Sequence, residues 1–234
     1  MTSLNRTDVE ARLASGTPLA GADLRACDLR ALSLKGVDLR GADLSEALFA
    51  RADLTGARLS DAKVDGASFE LCVLEDAEMK DVKGTGASFA HAYLKNTALH
   101  GALLPGASFS GATLEGADFT AAELPGADFS DADLTAARFR ACDVERGSFH
   151  GAILTRAELR GTKAQGADFS DADLSLSTWS DAKAARAMFV GAIVEDTRFE
   201  KCDFSESDFT ATQVTAADLK GSTTRGAVLP RPKK

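Results

Sequence analysis

The chain has 234 residues, 44% hydrophobic and 26% charged, a balance that excludes an intrinsically disordered composition. Its net charge of −8 argues against a general basic nucleic-acid binder. The four cysteines, at 27, 72, 142 and 202, show neither CxxC spacing nor clustering with histidine, so they suggest no zinc site and no disulfide framework.

The N-terminal segment 1–16 has no apolar stretch of the signal-peptide kind. No run of 18 apolar residues occurs anywhere, so the expectation is a cytoplasmic protein with no membrane span. Thr7-Asp8-Val9-Glu10 fits a capping box and Gly16 suits a stop, which predicts a short helix over 8–15. Val9 and Leu13 on that helix are placed to cover the first turn of the chain beyond Gly16.

Beyond that helix the chain is a repeat. From Leu19 to Leu229 every fifth residue is apolar almost without exception, over 43 consecutive positions with no insertion. Twenty of these centres are Leu and 13 are Phe, which accounts for every Phe in the protein; Trp179 is another. The exceptions are Gly84, Ala164, Ala184 and Thr224. Two residues before each centre lies a second class, 27 of 43 of them Ala, which also holds all four Cys. The remaining three positions are mainly polar or Gly. A period of five fits neither a helix nor an ordinary strand. Two inward residues and then a corner describe a short extended segment that turns, so the chain must coil around small and large side chains.

The Phe residues set the length of one coil. Phe49, Phe69, Phe89, Phe109, Phe129, Phe149, Phe169, Phe189 and Phe209 recur every 20 residues, and Leu34 to Leu174 do so on another face. A 20-residue coil stacks each series into one ladder. Four units per coil give a square cross-section, about ten and a half coils, and a rod on the order of 50 Å long at strand spacing.

Units such as Ala22-Asp23-Leu24-Arg25-Ala26 resemble the pentapeptide-repeat family, whose consensus is A(D/N)LXX, and the resemblance runs from Thr17 to Leu229. It implies an all-β fold, a right-handed quadrilateral parallel β-helix. Some family members inhibit or protect DNA gyrase by imitating duplex DNA, others accompany secretion machinery, and gyrase-interacting members dimerise through their C-terminal ends. The implied division is a cap over 1–16, a solenoid over 17–229 and a tail over 230–234. The tail, Pro230-Arg231-Pro232-Lys233-Lys234, is too short to cover a coil, so a homodimer through this end is one expectation and proline blunting of the edge another.

The acidity lies on two adjacent faces, the Phe-ladder face and the Leu-ladder face, each with a balance of −5. Its densest part is the duplicated segment GADFSDADL at 126–134 and 166–174. There Asp128 stacks over Asp168, Asp131 over Asp171 and Asp133 over Asp173, each pair about 9.6 Å apart. Such an array either solvates the rod or presents DNA-like charge to a basic groove. On the Leu-ladder face Val73, Tyr93, Ile153 and Ile193 point outward as a minor candidate contact patch. Another face carries Lys63, Lys83, Lys163 and Lys183, whose stems are read as lying over thin parts of the wall.

No nucleophile–base constellation, P-loop or dinucleotide fingerprint accompanies His91, His100 and His150, and the Cys sit where Ala is the norm. The expectation is therefore no enzyme, no cofactor, no metal and no direct nucleic-acid binding. The chain is read as a rigid scaffold for an unidentified protein partner. A DNA-mimic that binds DNA gyrase or another topoisomerase is the alternative. A further one is an accessory of type VI secretion, from the opening Gly16-Thr17-Pro18-Leu19-Ala20-Gly21-Ala22-Asp23-Leu24.

Overall fold

The computed structural model describes residues 3–230, so residues 231–234 of the expected tail lie outside the described residues. Helix α1 (Arg6–Ser15) opens the chain. It begins two residues earlier than the capping-box reading placed it, because Asn5 caps it instead of Thr7. The Asn5 side chain accepts the Asp8 N–H at 3.1 Å and the Asp8 carboxylate accepts the Asn5 N–H at 3.0 Å. Asn satisfies the free first-turn donors as well as Thr does. Glu10 is left to pair with Arg6 at 2.9 Å, one helical turn away. Gly16 ends the helix in the left-handed region, at φ +69°. Val9 is fully buried and Leu13 packs against the same core. The Leu4 N–H donates to the Asp23 carbonyl at 2.8 Å, which ties this segment to the chain beyond.

From Asp23 onward each residue at a bridging position pairs in parallel with the residue 20 further on: Asp23 with Asp43, Asp28 with Leu48, Ser33 with Asp53, Asp38 with Arg58, and so on to Asp208 with Val228. One coil is therefore 20 residues, and four columns of bridges run along the molecule. One bridge widens into a pair of strands, β1 (Thr178–Ser180) and β2 (Arg198–Glu200), with Trp179 opposite Phe199.

The corners explain the period of five. At most centres the N–H three residues on donates back to the centre's carbonyl, as Cys27 does to Leu24 at 3.1 Å. Such a turn demands a positive φ at its third residue. Every fifth residue from Gly16 to Gly226 has one except Ala216, and Gly occupies 18 of these positions without a Cβ penalty.

Inside, the two residue classes alternate between small and large and close the core. The nine ladder rings from Phe49 to Phe209 are all fully buried, with neighbouring centroids 4.6 to 5.2 Å apart and planes within 12°. Phe119 and Phe139 form a second stack and meet the first edge-on, Phe119 lying 5.5 Å from Phe129 at 88°. Both arrangements match the ring quadrupole. Inward hydroxyls at Ala positions are satisfied by the wall: Thr97 donates to the Leu74 carbonyl and Thr162 to that of Phe139, each at 2.7 Å. Trp179 donates its indole N–H to Ser177 at 3.1 Å. At Gly84 two coils approach closely. A Cβ built there would sit 2.6 Å from the Val64 carbonyl carbon, so only Gly fits. Lys63 and Lys83 bridge each other directly beside this point.

One stretch leaves this geometry although its sequence keeps the period. Val214 and Leu219 still point inward and are buried, but neither Ile193 nor Arg198 has a bridge partner in the next coil. The cause is local. The Asp218 carboxylate accepts both the N–H and the hydroxyl of Thr215 at 2.7 Å, and the chain from 216 to 221 winds into consecutive turns. Pairing resumes at Thr223 and Val228.

Candidate protein-binding surface

In a regular pentapeptide unit the backbone uses four of its five N–H groups. Those of the centre and of the residue two past it donate to the next coil, that of the residue before the centre donates to the previous coil, and that of the small residue closes the corner. The N–H just past the centre is left over. Asp before the centre supplies the acceptor. Of the 14 Asp residues at that position, 13 accept this N–H, from Asp23 with Arg25 to Asp208 with Thr210. The exception is Asp218, which has turned to Thr215. Solubility alone does not account for this aspartate. Its first task is to complete the backbone accounting, and the signal in the sequence is its fixed place two residues before a polar residue.

Four of the candidate acids belong to this class. Asp128 and Asp168 accept the N–H of Ser130 and Ser170, each at 2.9 Å. Asp133 accepts the N–H and hydroxyl of Thr135 at 3.0 and 2.6 Å. Asp173 accepts the Ser175 N–H at 2.9 Å and the Thr155 hydroxyl at 3.4 Å. All four are half-buried at their bases. Asp131 and Asp171 are different. They are exposed corner residues, each with φ +58°, and their carboxylates lie over Gly151 and Gly191 of the next coil.

The stacking is direct. Asp128 bridges Ser148, which bridges Asp168; Asp133 bridges Ile153, which bridges Asp173. None of the six carboxylates has an ion-pair partner among the described residues. The first coils contrast with this. Asp23, Asp28 and Asp38 are each gripped by the Arg two residues on, at 2.7 to 2.8 Å, and the guanidinium holds each carboxyl down at about 2.

The outward apolar residues are partly as expected. Tyr93, Ile153 and Ile193 are exposed, whereas Val73 is half-buried. Leu176 and Met188 are exposed as well. Leu176 occupies a corner and Met188 precedes a Phe-ladder centre, so neither belongs to the outward series of the Leu-ladder face. His91, His100 and His150 are all exposed. The four cysteines are buried free thiols, and burial pushes Cys72 up to about 12 and Cys202 to about 11, away from the reactive thiolate. Among the described residues no three His, Cys, Asp or Glu side chains group to hold a metal, and no helix is long and apolar enough to cross a membrane.

Two family profiles match the sequence. "Pentapeptide repeats (8 copies)" covers 14–46, 33–70, 52–83 and 85–120, and "Pentapeptide repeat region" covers 132–209. No curated protein sequence matches. Among solved structures, HetL of the cyanobacterium Nostoc sp. Strain PCC 7120, a pentapeptide repeat protein involved in heterocyst differentiation regulation, superposes with a TM-score of 0.79 at 21% identity over 96% of this chain and 94% of its own. QnrB1, a plasmid-mediated fluoroquinolone resistance protein, does so with a TM-score of 0.56 at 16% identity over 89% and 93%. These likenesses carry the fold, a pentapeptide-repeat β-helix, and the profiles read the same five-residue unit that the bridges and corners require: the chain belongs to the pentapeptide-repeat family.

Proposed function

We propose that this chain is a non-catalytic scaffold that binds a protein partner through the acidic array of Asp128, Asp131, Asp133, Asp168, Asp171 and Asp173. One observation carries the reading: these six carboxylates have no ion-pair partner among the described residues, whereas Asp23, Asp28 and Asp38 of the first coils are neutralised in place. The array sits on backbone fixed by inter-coil bonds, so its spacing is set before any partner arrives and little ordering entropy is lost on contact. The same proposal takes the solenoid as right-handed, with about ten and a half coils over 17–229 and α1 closing its N-terminal end.

A DNA-mimic acting on DNA gyrase is the second reading. It is favoured by the spaced unpaired carboxylates and by the fold shared with a fluoroquinolone resistance protein. Supercoiling by purified gyrase, with this protein titrated in, tests it. The informative variant changes Asp to Asn at 128, 133, 168 and 173, because Asn keeps the acceptor for the leftover N–H and removes only the charge. Inhibition or drug protection by the wild type, lost in that variant, supports the DNA-mimic. An unchanged reaction at micromolar protein removes it and leaves the scaffold reading.

A further inference from the structure

The departure of the chain at 213–219 has a consequence one coil below. In the regular solenoid the N–H groups of a side and its corner donate to the coil above: Leu174 to the Ile193 carbonyl at 2.8 Å, and Leu176 to that of Glu195 at 2.8 Å. The equivalent donors one coil on are Val194 and Asp196, then Phe199 and Lys201 on the next side. Val194, Asp196 and Lys201 have no backbone acceptor among the described residues. The carbonyls of Ala192 and Thr197, whose counterparts accept from the coil above, receive no donor there either. The result is an open parallel sheet edge that includes β2, and Val194 is only half-buried where the centres beneath it are sealed.

This edge is the floor of a cleft of about 530 Å³ lined by Val194, Glu195, Asp196, Thr197, Phe199, Gln213, Val214 and Asp218. The volume is in the range of sites that hold ligands. Its lining carries three carboxylates and no base. An edge with unpaired donors and acceptors is a template for one more strand. Such a strand is recognised through its main chain, with side chains alternating inward and outward.

We propose that the Ala192–Asp196 edge binds an extended peptide segment of a partner protein, added in parallel as a strand. Its inward residue is small and apolar, against Val194 and Phe199. Its outward neighbours are Lys or Arg, beside Glu195 and Asp196. Main-chain bonds to the Ala192 carbonyl and to the Val194 and Asp196 N–H groups fix its register. The edge adjoins the six-carboxylate array, since Asp173 bridges Ile193, but it is read by its own amides, those of Val194 and Asp196, so the two readings fail separately.

Hydrogen exchange on the full chain tests this, with Thr-Lys-Val-Lys-Thr as the probe, blocked at both ends, and Thr-Glu-Val-Glu-Thr as its charge-reversed control. In the free protein the amides of Val194 and Asp196 are expected to exchange at least tenfold faster than those of Leu174 and Leu176. The basic peptide slows both at least tenfold, and the acidic peptide does not. Glu195→Lys, at an exposed position whose ladder bond is made by the backbone carbonyl and not by the side chain, weakens the basic peptide several-fold. Three results overturn the proposal. One is protection of Val194 and Asp196 without peptide, including protection that grows with protein concentration and so reports a second copy on the edge. Another is peptide binding without a change at these amides. The third is equal binding of both peptides.

Discussion

The first coils and the coils around Phe129 and Phe169 are built on one backbone plan with different side-chain chemistry. Asp23, Asp28 and Asp38 each accept the leftover N–H and are also clamped by Arg25, Arg30 and Arg40. Asp128, Asp133, Asp168 and Asp173 accept the same N–H, but Ser or Thr stands two residues on in place of Arg. The interiors differ too. Centres from Leu19 to Leu44 are all Leu, whereas Phe129 lies between Phe109 and Phe149 at 4.9 and 4.8 Å and meets Phe119 and Phe139 edge-on. One region is neutralised outside and aliphatic within; the other keeps its charge outside and is aromatic within. An Arg after the centre neutralises a structural aspartate in place; where Ser or Thr stands there, the aspartate stays available unless a cation reaches it from a neighbouring coil, as Lys35 reaches Asp53 and Arg138 reaches Asp118.

The largest effect belongs to the aromatic interior. Phe129→Asp puts a carboxylate among stacked rings and is expected to abolish cooperative unfolding. The milder Phe129→Ala costs about 3–5 kcal/mol. Circular dichroism melting reads both, and a soluble Asp variant with the wild-type midpoint contradicts the ladder. Between the two regions, Gly84→Ala forces a methyl against the Val64 backbone and costs about 1–3 kcal/mol in urea unfolding.

The cap role is tested within one residue. Asp128→Ala strands the Ser130 N–H and costs about 1 kcal/mol, whereas Asp128→Asn is close to neutral. Equal losses in the two variants would make charge, not hydrogen bonding, the reason for Asp there. The smallest effect is a gain. Leu176 is exposed at φ +61°, so Leu176→Gly removes left-handed strain and stabilises by up to about 1 kcal/mol.

Acid separates the regions by another route. The folded-state pKa values of Asp23, Asp28 and Asp38 are depressed to about 2, below the unfolded value near 3.9. Their contribution is present above pH 4 and is lost as pH falls through the folded value. Amide exchange measured from pH 5 to pH 2 is expected to loosen the first coils, and Asp28→Asn with Arg30→Gln flattens that response.

Much of this was legible in the sequence. The period of five gave the inward classes, and the 20-residue recurrence of Phe gave the coil, because both are repeated tens of times and no local accident can mimic them. Single events were harder to read. Thr7 and Asn5 are both plausible caps, and only the geometry of Asp8 decides between them. Val214 and Leu219 keep the apolar period, so the pattern predicts an unbroken wall. The competing Thr215–Asp218 turn is local chemistry that a periodicity count does not weigh. The Asp bond was hidden because its partner is a backbone N–H, which leaves no mark on composition.

Charge at 128–173 is available to a partner where charge at 23–38 is not, and two triple variants of equal net charge test this directly: Asp→Asn at 23, 28 and 38, and Asp→Asn at 128, 168 and 173. Binding of a fluorescent 20-residue polylysine is measured for each at low salt. The second triple is expected to weaken binding several-fold while the first leaves it near wild type, with both still folded. Equal losses in the two would mean that only total charge matters, and would contradict the array.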